Sequence, residues 1–133
     1  MRIALVSVPA SRRGVPDYVN ALAKGMESAG HRVDILDAWT GDGFRLPGYE
    51  YIAVIAEAAS LFGGKMPDAL PKILASGNLT GKKSAAFLRK TSPFTVKAMV
   101  NLMRAMEKEG MYINWSEVIL SAAHAEALGK RIG

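Results

Sequence analysis

Short apolar runs alternate with longer stretches of helical period along this 133-residue chain. Arg2–Val8 (RIALVSV) and Tyr51–Ala56 (YIAVIA) are almost continuously apolar, the pattern of strands covered on both faces. Val33–Asp37 and Lys83–Leu88 read as two further strands, and Val118–Leu120 as a short last one. After the first strand, Val19, Leu22, Ala23, Met26 and Ala29 recur at three- and four-residue spacing, which puts one apolar stripe on a helix. That helix opens near Pro16, where a missing N–H costs nothing, and Gly30 caps it. Residues 38–48 hold three glycines and a proline and read as a loop with room for one helical turn. Leu70, Ile73 and Leu74 mark a helix over Asp68–Ser76, ended by Gly77. Thr91-Ser92-Pro93 signals the start of another, with Val96, Met99, Val100, Met103 and Met106 as its buried stripe and Gly110 as its stop. Ala122–Arg131 is the closing helix.

This alternation has no long linker, repeat or low-complexity stretch, so it predicts one α/β domain over residues 1–133. Consecutive parallel strands need helical crossovers, which gives a three-layer sandwich. Right-handed crossovers collect the strand carboxyl ends on one edge, where open α/β sheets bind ligands. The loops expected there are Pro9–Gly14, Glu57–Pro67, Arg89–Pro93 and the turn near Ser121. They carry Arg12, Arg13, Lys65, Arg89 and Lys90, with Glu57 as the sole acid. Such a rim suits phosphate or another anion, unless the cations are merely solvated loop charge. Gly14, Gly63 and Gly64 allow backbone N–H groups to approach a ligand, or serve only turn geometry.

Composition narrows the chemistry. With no cysteine, disulfides, thiolate metal sites and a cysteine nucleophile are excluded. His31 and His124 are the only histidines, which excludes a multi-histidine metal site, and both read as structural. Neither a catalytic dyad nor a triad is visible. The first apolar run, Ile3–Val8, is too short for a signal-peptide core or a membrane span, so a soluble, cytoplasmic protein with no membrane partner is expected. Lys and Arg exceed Asp and Glu by 17 to 12, a net charge of +5. These charges are spread along the chain and form no basic helical stripe, which disfavours nucleic acid as a partner.

Several stretches together resemble the flavodoxin-like family. Gly30–Asp37 (GHRVDILD) resembles its second strand, and Gly48–Ile55 (GYEYIAVI) the entry to its third. Phe62-Gly63-Gly64-Lys65-Met66-Pro67 is similar to its aromatic-Gly-x-x-Pro loop, and Leu79–Lys83 (LTGKK) to its approach to the fourth strand. The resemblance implies a five-stranded parallel sheet in the order 2-1-3-4-5, with flavin mononucleotide (FMN) in the crevice beside strand one. Ser11–Pro16 (SRRGVP) stands where the family carries Ser/Thr-x-Thr-Gly-x-Thr around the phosphate. Ser11 and Gly14 match, whereas Arg13 and Pro16 replace hydroxyl residues, and Pro16 also lacks an N–H. The cofactor residues the resemblance implies are Ser11, Arg12, Arg13 and Gly14 for the phosphate. The loop with Ser60, Leu61, Phe62 and Gly63 would offer Leu61 or Phe62 against the ring, and Arg89, Thr91 and Ser92 would complete the site. It further implies a redox protein partner and, for reductases of this type, association into homo-oligomers.

Two accounts fit the altered loop. Arg12 and Arg13 bind phosphate by charge-assisted hydrogen bonds, giving a flavin-dependent electron-transfer protein or reductase. Alternatively, the fold has lost its flavin and serves as a binding or interaction module for another anionic ligand or a protein partner.

Overall fold

The computed structural model describes residues 1–41, 43–60 and 63–132. Strands β1 (Arg2–Val8), β2 (Arg32–Asp37), β3 (Tyr51–Ala56), β4 (Lys83–Arg89) and β5 (Tyr112–Ile119) form one sheet in the order β2-β1-β3-β4-β5. Every neighbouring pair is parallel. Parallel strands cannot be joined by hairpins, and α1 (Asp17–Ser28), α2 (Ala69–Ala75), α3 (Thr95–Lys108) and α4 (Ala122–Gly129) lie between or after them. A 3-10 turn over Gly43–Gly48 occupies part of the loop expected after β2. This is the three-layer α/β sandwich in the flavodoxin-like strand order.

The pleat divides the strands between two cores. Ile3 and Leu5, Ala53 and Ile55, and Ala85 and Phe87 pack with residues of α1 and α4. Val6 and Val8, Val54 and Ala56, and Ala86 and Leu88 pack with residues of α2 and α3. Covering on both faces is why β1 and β3 read as unbroken apolar runs.

Two expectations need correction. The last strand was expected over Val118–Leu120 but runs from Tyr112 to Ile119. As an edge strand it leaves Tyr112, Asn114 and Ser116 exposed, so it has no continuous apolar signature. Its register steps from Ser84↔Ile113 to Ala85↔Trp115, leaving Asn114 as the extra residue of a bulge. In α3 the fully buried side is Ala98, Leu102 and Met106, while Met99 and Met103 are partly buried against the core. Val96 and Val100 face outward, at 79% and 40% exposure. Apolar residues occupy so much of α3's circumference that their spacing allows more than one phase.

α1 and α4 approach closely at two glycines. A Cβ on Gly25 would lie 2.1 Å from the carbonyl oxygen of Glu126, and one on Gly129 would lie 2.4 Å from that of Leu22. Only hydrogen fits at either position.

Candidate functional site

The carboxyl edge is organised around Glu57, the first residue after β3. Its side chain is 7% exposed and accepts four hydrogen bonds. The Ala10 N–H donates to Oε1 at 3.0 Å. Arg13 Nη1 donates to Oε1 at 2.8 Å and Nη2 to Oε2 at 2.5 Å, a bidentate pair. The Tyr18 hydroxyl donates to Oε2. One carboxylate therefore ties the β1–α1 loop at both its start and its middle, and joins it to the first turn of α1.

Charge and burial oppose each other at this group. Burial alone would raise the Glu57 pKa, but the bonds from Arg13, Tyr18 and Ala10 outweigh it and hold the carboxyl below its ordinary value. The same pairing raises Arg13, chiefly through its hydrogen bond to Glu57. Burial first, and then the bond to Glu57, pushes Tyr18 far up, so it remains a neutral donor. At neutral pH the loop thus encloses an ionised carboxylate.

Arg89 is committed to the same cluster from β4. Its guanidinium lies over the Tyr18 ring, 5.6 Å from the centroid. Nη1 also donates to the carbonyl oxygens of Lys90, Ile119 and Leu120 at 3.2, 3.3 and 2.9 Å. These bonds fix the turn between β5 and α4.

The other expected residues stand around this cluster. Ser11 and Arg12 are exposed, and Gly14 turns the loop at φ +83°. Lys65 and Lys90 are exposed on the neighbouring loops, as are Ser60 and Thr91. Ser92 is half-buried. Its Oγ accepts the Phe94 N–H at 3.2 Å and its carbonyl accepts the Thr95 hydroxyl at 3.1 Å, so it shapes the start of α3. Leu61 and Phe62 lie outside the described residues. Gly63 and Gly64 both have positive φ. A Cβ on Gly64 would lie 2.7 Å from the Ala98 nitrogen, so this loop presses directly on α3. The Ala59 N–H to Lys65 carbonyl bond, 2.6 Å, and Asn101 Nδ2 to the Gly64 carbonyl, 3.0 Å, hold it there.

Donors at the start and middle of the β1–α1 loop are already taken, which weighs against its holding the phosphate of FMN. The Ala10 N–H already serves Glu57. Arg13 is paired with Glu57. Pro9 and Pro16 have no N–H to offer. A phosphate monoester carries a charge of about −1.5 to −2 and would meet the buried negative charge of Glu57. Sequence reasoning marked Glu57 only as one acid among five cations, and Tyr18 was not singled out. The available signal was a carboxylate directly following an apolar strand.

Among the described residues no group of three or more His, Asp or Glu could hold a metal ion. Nor is any helix there long and apolar enough to cross a membrane.

No family model and no curated protein matches the sequence. Solved structures do match the fold. A flavodoxin from the domain Archaea is 20% identical, with a TM-score of 0.68 over 98% of this chain and 95% of that one. Flavodoxin 1 from Bacillus cereus is 15% identical, with a TM-score of 0.71 over 97% and 95%. A short-chain flavodoxin associated with a non-canonical PDU bacterial microcompartment is 16% identical, with a TM-score of 0.69 over 97% and 96%. The chain has the flavodoxin-like fold over nearly its whole length.

Proposed function

We propose that this chain is a binding module on the flavodoxin fold whose carboxyl edge takes an anionic ligand or partner other than FMN. The observation that carries this reading is the Glu57 carboxylate, which already takes the Ala10 N–H and the Arg13 guanidinium of the β1–α1 loop. Arg12, Lys65 and Lys90 remain exposed around it, so an anion is drawn to the rim rather than into the loop. Purified protein titrated with FMN is expected to show no saturable change in the visible spectrum or in flavin fluorescence. Some phosphorylated or carboxylated metabolite should instead raise the melting temperature, by the equivalent of about 2.7 kcal/mol at 100 times its Kd. A yellow protein, or saturable FMN uptake, overturns the proposal. A flavin-dependent electron-transfer protein is the second reading. Its support is the likeness to flavodoxins over 98% of the chain, and the same titration separates the two.

A further inference from the structure

A cavity of about 410 Å³ lies at the opposite, amino-terminal edge of the sheet. Its volume falls within the roughly 300–1,000 Å³ usual for small-molecule sites. The bulge in β5 builds one wall, because the extra residue lets both Asn114 and Trp115 line the same cavity. Bulges commonly re-aim side chains beside functional sites. Tyr51, the first residue of β3, donates its hydroxyl to Asn114 Oδ1 at 2.6 Å. That bond uses the amide oxygen and leaves the Nδ2 hydrogens for another acceptor. Burial pushes the Tyr51 hydroxyl up to about 12, so it stays neutral.

Two cationic side chains complete the lining, Lys83 at the start of β4 and Arg131 just after α4. The Arg131 guanidinium lies 5.7 Å from the centroid of the Trp115 ring. That ring is held edge-on against Phe87, with centroids 5.2 Å apart. Trp115 Nε1 is turned to Glu117 Oε1 at 3.3 Å, and Glu117 itself does not line the cavity. Among the described residues, no carboxylate lines it. The cavity therefore combines an aromatic wall, an amide donor and two cationic side chains, with no acidic side chain among the described residues that line it.

We infer that this amino-edge cavity is a ligand site for a small aromatic carboxylate, separate from the carboxyl edge. The ring packs against Trp115, and the carboxylate sits between Lys83 and Arg131.

Calorimetric titration of the full chain with 1-naphthoate tests this. One saturable site is expected, with neutral 1-naphthalenemethanol binding at least about tenfold more weakly. The Lys83→Gln/Arg131→Gln double variant should lose about tenfold in affinity, whereas Arg104→Gln/Lys108→Gln on the exposed side of α3 should lose nothing. Shifts of the Asn114 amide and Trp115 indole resonances on adding 1-naphthoate to the unmodified protein are the readout that needs no variant. The inference is overturned by no saturable binding, by equal affinity for the neutral alcohol, by an unaffected Lys83/Arg131 variant, or by resonances that do not move.

Discussion

Replacing Glu57 by glutamine removes one charge from the β1–α1 network while keeping the side chain's size. A hydrogen bond to a charged group contributes about 1.5–3 kcal/mol, and Glu57 accepts four. Two effects reduce the loss. The Arg13 side chain is 44% exposed, so water rehydrates it, and the glutamine oxygen still accepts a bond. The expected cost at pH 7 is about 2 kcal/mol, or about 6–8 °C in Tm for a chain of this size. Arg13→Gln should cost more, about 3 kcal/mol, because it strands a charge that is 7% exposed. Urea unfolding followed by far-UV circular dichroism measures both singles and the double, whose coupling should exceed about 1 kcal/mol. The pH dependence has a definite sign. The folded pKa of Glu57 lies below the unfolded value of 4.5, so its contribution is complete above that value. It disappears as pH falls through the folded pKa. The advantage of wild type over Glu57→Gln should therefore hold at pH 6–8 and shrink below about pH 4.5. A pH-independent difference, or Glu57→Gln costing more than Arg13→Gln, would refute the reasoning.

Three further outcomes are expected in the same assay. Gly25→Ala and Gly129→Ala should each cost about 2–3 kcal/mol through forced separation of α1 and α4, and neutral values would mean that the helices can part freely. Leu102→Ala should cost about 2–5 kcal/mol, while Val96→Ser should stay within about 0.5 kcal/mol. Equal effects would mean that the buried face of α3 is misplaced. Trp39→Phe removes the Nε1 to Pro9 carbonyl bond of 2.9 Å and should cost about 1 kcal/mol. No change would show that this bond does not anchor the β1–α1 loop.

The central strands were legible because burial on both faces writes itself as unbroken apolar sequence, as in YIAVIA. β5 was not, since a half-solvated edge accepts Asn114, Ser116 and Glu117. Strand order followed from the resemblance alone, and could not be read from periodicity. At the site, topology put Arg13 and Glu57 on one edge, because their loops follow the paired strands β1 and β3. Which cation the carboxylate would take could not be read. Arg12 and Arg13 are adjacent in sequence, and the choice between them depends on how the loop turns before α1. Arg89 posed the same difficulty. Its charge was visible, but its use in fixing the β5–α4 turn depends on carbonyl groups some thirty residues away.

The glycine contact between α1 and α4 also governs when the chain can fold. Leu22 and Met26 belong to the same core as Ala125 and Leu128, at nearly opposite ends of the sequence. During synthesis at about 5–20 residues per second, roughly 5–20 s separate the emergence of these two helices. Throughout that interval α1 lacks the part of its cover that α4 supplies, an apolar stretch suited to transient capture by a chaperone. Native assembly consequently waits on residues 122–129, however early the first strand and helix appear.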